Sequence, residues 1–327
     1  MNDTTLTIIY AFAGGVFGTS IGALWAFILC TLLAMFGCFM VLLGGGGYFL
    51  SYVALGPIFG PAVGGFLSGV VAATYAAGVR KNHPTNDGKD IITPLVGTSW
   101  DVLVVGGLAA VVSYYLMEVL KLIPFLNKSD IGALSIIIIS LASRVLFLKQ
   151  GVCGKSESIK KFGLFGTNNY AISWVGWQSP PAKLAVMGIS FGAFSGAIVA
   201  GMQGILNPLV EAGTVDKGTA YLVCLFFTWA LSGIMLTMLC LAEGDKVKVP
   251  VTHAIGLVAS LVFLHTEPLV GANNAILFAM LGGLTAVLFQ EIGARLFYNH
   301  GGNHIDPPAF SIAVNVFFYN MLFFYFI

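Results

Sequence analysis

The chain has 327 residues, of which 57% are hydrophobic and only 9% charged, and its formal net charge is +1. Soluble domains carry roughly 25% charged residues, so this composition excludes a water-soluble fold. The apolar runs are long and continuous, and the mean hydropathy is +0.91. They predict an all-α polytopic membrane protein, because membrane barrels have short alternating segments instead. No basic tract is dense enough to indicate a nucleic-acid partner.

Apolar segments follow one another along the chain, and a membrane-spanning helix needs about 20 such residues. The glycines at 44–47 and the motif GPIFGPAVGG at 56–65 indicate either a broken or re-entrant segment near residues 44–60 or close helix packing through small residues. We predict about 11 transmembrane helices, at residues 6–24, 26–43, 47–58, 60–79, 95–121, 131–149, 184–206, 218–241, 250–266, 274–297 and 308–327.

Basic residues fall unevenly on the two sides that eleven crossings would define. The positive-inside rule then predicts a multi-pass protein of the cytoplasmic (inner or plasma) membrane, with the N-terminus inside and the C-terminus outside. The richer side holds Arg80, Lys81, Lys89, Arg144, Lys149, Lys155, Lys160, Lys161, Lys183, Lys246, Lys248 and Arg295, and the other side holds Lys121, Lys128 and Lys217.

Two long stretches of the sequence share one order of features. Those starting at Gly64 and Gly282 both read Gly-Gly, an apolar span, a basic residue, Asn-His, a polar loop and a proline. AFILC matches AYLVC, and FGTSIGA resembles FGAFSGA, in the same order. We therefore predict two parallel five-helix repeats, at residues 1–125 and 184–327, joined by a linker helix and cytoplasmic loop at 126–183.

Two positions in the polar loops have the sequence of a helix start. Asp306 precedes Pro307, and Thr93 precedes Pro94, which is the order expected of an N-cap and the first helical turn. Capping alone can explain these residues. A helix start near the bilayer also offers free N–H groups, which transporters use to hold anions or polar solutes.

The loop NHGGNHIDPP concentrates ionisable side chains. His300, His304 and Asp306 lie within seven residues, and imidazole and carboxylate groups suit a divalent transition metal. The other interpretations are a proton relay, because histidine titrates near neutral pH, and an ordinary polar loop. His83, Asp87 and Asp90 are the corresponding candidates in the first stretch.

Asp101 is the strongest single candidate inside the membrane. It lies roughly 10 Å along its helix from Pro94, and a buried carboxylate is costly enough to suggest function. Local pairing is the alternative. Asp101 corresponds to Asn315 if Pro94 aligns with Pro308, and to Val314 if it aligns with Pro307.

The segment GGNHIDPPA resembles the Gly-x-His-x-Asn-Pro-Ala signature of aquaporins, with Asp306 where aquaporins have asparagine. The resemblance covers about eight residues and has no second good copy. Aquaporin halves are inverted and have three spans each, unlike the parallel five-span halves predicted above. The resemblance therefore implies only a shared device, a capped helix start beside a pore.

These features predict an integral membrane transporter or channel that moves a small polar or ionic solute, with or without coupling to an ion or proton. The first alternative is a membrane-embedded enzyme with a cytoplasm-facing metal site at His300, His304 and Asp306. The second is a non-catalytic membrane subunit of a larger complex. We expect the lipid bilayer as partner, a homo-oligomer as one option, and no cofactor beyond a divalent metal or coupling ion. The predicted pathway residues are Asp101, Asn315, Thr93, Asp306, His304, His300, His83 and Asp90.

Overall fold

This computed structural model describes residues 3–166, 172–241 and 248–326. All regular structure in those ranges is helical, as the composition predicts. The α-helices are α1 (Asp3–Ile21), α2 (Ala23–Leu42), α3 (Leu67–Tyr75), α4 (Trp100–Leu122), α5 (Ile131–Ser143), α6 (Ser156–Phe162), α7 (Pro181–Glu211), α8 (Lys217–Ile234), α9 (Thr237–Cys240), α10 (His253–Val270), α11 (Ala272–Gly293) and α12 (Pro307–Phe326). Shorter helical turns are Phe49–Ala54, Ala76–Arg80, Leu126–Lys128, Arg144–Leu148 and Ala294–Tyr298.

Nine helices in the described ranges are long and apolar enough to cross a membrane. Large apolar side chains cover their outer faces, for example Leu108 and Val112 on α4 and Leu281 on α11, each more than half exposed. Such a continuous apolar exterior is expected where lipid replaces water. The chain therefore has the architecture of a multi-pass helical membrane protein.

The chain between α2 and α3 is irregular, which is one of the two alternatives that the glycines leave open. Only Phe49–Ala54 is helical, as a π-helix, and turns follow up to Phe66. The turns lie so close to α1 that a Cβ atom on Gly64 would sit 2.5 Å from the backbone oxygen of Gly14. The predicted spans 47–58 and 60–79 are therefore not two membrane-length helices. Residues 43–80 instead form one broken passage.

The bundle has two ends, which contacts between loops define. At one end the Leu24 N–H donates to the Ile91 oxygen at 2.8 Å, and the Lys155 N–H donates to the His300 oxygen at 2.9 Å. We call this the basic end, because most predicted basic loops meet there; Lys246 lies outside the described residues. At the opposite end the Asn320 side chain of α12 donates to the Lys128 oxygen at 2.7 Å.

The first and last helices have their outer ends on the same side. α1 runs antiparallel to α4, since Thr19 lies against Gly106 and Ala11 clusters with Ala110. α1 therefore begins at the opposite end, where α12 also finishes. This differs from the prediction, which placed the N-terminus with the basic loops and the C-terminus across the membrane. The reason is that residues 43–80 pass once, whereas the prediction counted two crossings there.

Helix directions also differ from a parallel repeat. α2 and α8 are antiparallel, because Thr31 lies against Gly233 while Gly47 lies against Thr219. α1 runs towards the basic end, whereas α7 runs away from it, antiparallel to α11. The matched segments AFILC and AYLVC lie in α2 and α8, while FGTSIGA begins in α1 and FGAFSGA lies in α7. In each pair the two helices run in opposite directions through the bundle. A rotation about the membrane normal keeps helix direction, so it cannot relate these segments.

Candidate functional site

A cavity of about 810 Å³ lies inside the bundle and extends between its two ends. Asp90, His304 and Asp306 line it at the basic end, and Glu118 and Asp130 line it at the opposite end. Apolar and aromatic side chains form most of the wall between them. Its volume is in the range of sites for small organic molecules.

Broken backbone from both parts of the chain forms much of the wall. One contribution comes from residues between Ser51 and Phe66, which form the end of a short π-helix and the turns after it. The other comes from Leu236 in the turn after α8, Leu239 in α9 and Val251 just before α10. Non-helical backbone at membrane depth is tolerated where protein buries it or where it lines a cavity. The second break is held by Gln178, which exchanges two hydrogen bonds with the backbone of Val251 at 2.9 and 3.2 Å.

Aromatic rings surround the middle of the cavity. The ring of Phe27 lies 5.4 Å from Trp229, 5.7 Å from Phe66 and 5.0 Å from His253. Phe66 lies in turn 5.8 Å from His304. The polar groups of the basic end therefore adjoin an aromatic wall.

Asp306 and His304 form the polar centre of the basic end. One carboxylate oxygen of Asp306 accepts from the Ala309 N–H at 2.8 Å, which is the predicted N-cap of α12. The other oxygen lies 3.3 Å from Nε2 of His304. Nδ1 of His304 is buried without a partner among the described residues, and so is Nδ1 of His253. Two imidazoles that line the cavity thus have an unused hydrogen-bonding atom.

Two loops cover this end of the cavity. The Lys89 ammonium donates to the Asn299 oxygen at 3.2 Å and lies 4.4 Å from the ring centre of Tyr298. Gly88 pairs with Asn303, and the His304 N–H donates to the Gly88 oxygen at 3.3 Å. Burial lowers the pKa of Lys89 to about 8. The loops after α3 and α11, which both begin with Asn-His, therefore meet directly.

Arg144 holds the loop that precedes α12 in place through hydrogen bonds to Asn303. Its side chain is fully buried. Its Nε donates to Oδ1 of Asn303 at 2.7 Å and its other nitrogens donate to the oxygens of Val152 and Asn303. These acceptors are neutral, so the guanidinium is satisfied by hydrogen bonds and not by a salt bridge.

Asp90 lines the cavity but is saturated by its own loop. It accepts hydrogen bonds from Thr93, Thr85 and the Ile92 N–H. Burial alone would raise its pKa, but these hydrogen bonds outweigh that effect and hold the pKa below its usual value. Thr93 does not line the cavity and acts as a donor within this turn.

Asp101 and Asn315 do not line the cavity. Asp101 lies at the start of α4, 3.0 Å from Nε of Arg80, and accepts from the Tyr75 hydroxyl at 2.9 Å. The Asn315 side chain donates to the Ser311 oxygen at 2.8 Å within α12. The structure thus pairs Asp101 locally and does not bring it to Asn315.

His83 and His300 are buried in loop contacts outside the cavity wall. His83 contacts Thr85, and burial lowers its pKa although nearby aspartates oppose the shift. His300 lies 2.9 Å from the Ser158 hydroxyl and 3.1 Å from the Leu164 oxygen. The proposed metal ligands His300, His304 and Asp306 therefore do not converge. In the three described ranges, no group of three or more His, Cys, Asp or Glu side chains is placed to hold a metal ion.

Several cavity residues were not among the predicted site residues, namely Lys89, Asp130, His253 and the aromatic wall. His253 is one of only five histidines and Asp130 precedes an apolar run, so both carried a signal. Asp130 caps α5 through the Ala133 N–H at 2.8 Å. Burial raises the pKa of Asp130 against its backbone hydrogen bonds.

The sequence comparisons find one family. A model described as "Family of unknown function (DUF7973)" matches residues 2–166 and again residues 166–327. No curated protein matches the chain, and no solved structure does. Since the two matches together cover almost the whole sequence, the chain belongs to this family of unknown function.

Proposed function

We propose that this protein is a transporter of the cytoplasmic membrane that carries a small ionic or polar solute through the cavity between its two halves. The observation that carries the proposal is the cavity itself, which has polar groups at both ends of the bundle and an aromatic middle. Such a passage suits the movement of a solute between the two aqueous sides of a membrane. A purely structural subunit would not need a cavity with polar groups at both ends.

The two halves are best described as an inverted repeat. The two family matches each contain five passages, if residues 43–80 count as one. Five passages bring the chain to the face of the bundle opposite to the one where it began. The second half therefore starts from the opposite side of the membrane to the first half. Helix packing supports this relation: α1 packs on α3 and α4 as α7 packs on α10 and α11, and α5 packs on α4 as α12 packs on α11.

Sequence supports the same inverted alignment. GGLAAVV begins at Gly106 in α4, and GGLTAVL begins at Gly282 in α11. The pattern Asp-x-x-Ala-x-Ser-Ile occurs at Asp130 and again at Asp306, with the same offset along the chain. In this alignment α5 belongs to the first half and is no linker. The Asn-His loops resemble each other but are not repeat equivalents.

Inverted repeats whose broken helices meet near the membrane centre are a recurrent design of secondary transporters. Both broken segments line the cavity here. We place the basic end in the cytoplasm by the positive-inside rule. The two loops would then form the cytoplasmic gate, with the Asp306–His304 pair directly beneath it.

Cysteine accessibility tests the pathway without knowledge of the solute. Ala62→Cys places a thiol in the cavity wall, and Leu108→Cys places one on the exposed outer face of α4. A charged, membrane-impermeant methanethiosulfonate is applied to either side of sealed vesicles, and labelling above that of the parent chain is measured. We expect Ala62→Cys to react from at least one side and Leu108→Cys to stay unlabelled, because lipid excludes the charged reagent.

Unreactive Ala62→Cys from both sides would contradict a solute pathway through this cavity. Reaction of both variants at equal rates would also contradict it, because the reagent would then not distinguish the cavity from the lipid-facing surface.

A further inference from the structure

Resting on the proposed transport function, we propose that the cavity binds an amphipathic organic cation, with its ammonium group beside the Asp306–His304 pair and its apolar body against the aromatic wall. The aromatic wall consists of Phe27, Phe66 and Trp229. Charge, hydrogen-bonding capacity and shape each favour this class over anions and over small hydrophilic solutes.

Charge favours a cation because the carboxylates in the wall outnumber the lysines. Four carboxylates line the cavity against two lysines. Both lysines already have partners: Lys121 forms an ion pair with Glu118 at 2.6 Å, and Lys89 contacts Asn299 and Tyr298. Asp306 and Asp130 have no lysine or arginine partner among the described residues. An anion would meet uncompensated negative charge, whereas a cation would neutralise it.

The two histidines supply acceptors for an ammonium N–H. If Nε2 of His304 carries the proton that faces Asp306, Nδ1 of His304 has a free lone pair. That Nδ1 is buried in a residue only 3% exposed. His253, 5% exposed, also has an unpartnered Nδ1. A protonated amine that donates to such a nitrogen would satisfy a buried polar atom that is otherwise left unpaired.

The wall beside these groups fits an apolar body. Phe27, Phe66 and Trp229 lie next to the imidazoles, and Leu257 and Ile312 continue the apolar surface. Aromatic faces attract cations as well as apolar groups, and the attraction is larger away from water. A small hydrophilic solute would gain little from this surface, so the cavity selects for a molecule with both parts.

The inverted repeat provides the same carboxylate at the other end. Asp130 caps α5 as Asp306 caps α12, and Ile136 lines the cavity as Ile312 does. A cation released from Asp306 would thus meet an equivalent group at Asp130 on its way across.

The test measures equilibrium binding to the purified full chain by titration calorimetry. Three probes of similar size are compared at pH 7: benzylamine as the cation, benzyl alcohol as the neutral molecule and benzoate as the anion. We expect benzylamine to bind at least about tenfold more tightly than either of the others. Equal affinities, or tighter binding of benzoate, would overturn the proposal without the need for any variant.

Asp306→Asn locates the charge. Asparagine remains a good N-cap, so α12 keeps its start while the negative charge is lost. We expect the preference for benzylamine over benzyl alcohol to fall to within about twofold. Asp216→Asn is the matched control, since Asp216 caps α8 through the Thr219 N–H at 2.9 Å but does not line the cavity. A preference that survives in Asp306→Asn would contradict the assigned position.

The outcomes separate this inference from the transport proposal. Selective benzylamine binding with no cysteine labelling from either side would support the cation site and reject the pathway. Labelling of Ala62→Cys with no benzylamine preference would support the pathway and reject the substrate class.

Discussion

Two helix starts with the same sequence pattern occupy different surroundings. Asp130 and Asp306 both cap the helix that follows, and both line the cavity. At the end of the cavity where Asp130 lies, the lining side chains of Glu118 and Lys121 are 45% and 56% exposed. Asp306 lies beneath two loops and beside buried His304. In this conformation the cavity is therefore covered at the basic end and accessible at the opposite end.

The difference arises in contacts outside helices α5 and α12. Arg144, just after α5, binds Asn303 in the loop before α12 and so holds the cover over Asp306. No arginine performs that task near Asp130 among the residues described. If the proposed inverted repeat holds, its two helix starts are equivalent, and the contacts of Arg144 with the loop before α12 distinguish the end that is covered.

Removing Arg144 should have the largest effect on this asymmetry. Arg144→Met keeps much of the side-chain volume but leaves two acceptors of the buried Asn303, its Oδ1 and its backbone oxygen, unpaired, at about 1–3 kcal/mol for each. We expect a loss of about 2–4 kcal/mol in unfolding free energy, because relief of charge burial offsets part of that sum. Thermal unfolding in detergent measures it.

Arg80→Met is the matched control for that change. Arg80 also follows a helix at the basic end, but its side chain is 47% exposed and pairs only at the surface. Exposed ion pairs contribute little to stability. Equal destabilisation by the two variants would show that Arg144 has no special role in holding the cover.

Gly88→Ala should push the two covering loops apart and lower the unfolding free energy less than Arg144→Met does. A Cβ atom there would lie 2.7 Å from the Gly302 backbone oxygen, which cannot move without the second loop. We expect a loss of about 1–3 kcal/mol and faster labelling of Ala62→Cys from the basic side. Gly97→Ala in the same loop is the control, since nothing lies within 4 Å of its added Cβ. Identical labelling in both variants would argue against these loops as the gate.

The sequence predicted what depends on composition and local pattern. Apolar runs gave the membrane helices, the glycines indicated the break after α2, and Asp-Pro indicated the cap at Asp306. The predicted crossings differ from the structure because residues 43–80 pass once where two crossings are predicted, which reverses the predicted side of every loop before residue 43. The sequence prediction aligns Gly282 with Gly64, whereas the proposed inverted repeat aligns it with Gly106.

The predicted residues that line the cavity are those whose side-chain hydrogen-bond partners are near in sequence. Asp90, His304 and Asp306 do line the cavity, whereas the positions of His300 and Asp101 depend on contacts with distant residues. His300 faces Leu164 and Ser158, more than a hundred residues earlier in the chain. No local pattern contains such a partner, and none indicates that Arg144 is buried.

Asp101→Asn tests whether the carboxylate that acts in the cavity is Asp306 or Asp101, and it should have the smallest effect of these substitutions. Asp101 is held by Arg80 and Tyr75 away from the cavity wall, so the substitution should slightly lower thermal stability and leave the pathway intact. We expect labelling of Ala62→Cys, and the benzylamine preference, to stay within about twofold of the parent values. Loss of either property in Asp101→Asn, with Asp306→Asn unaffected, would return the intramembrane role to Asp101. The helix start at Asp306 would then be a structural cap alone.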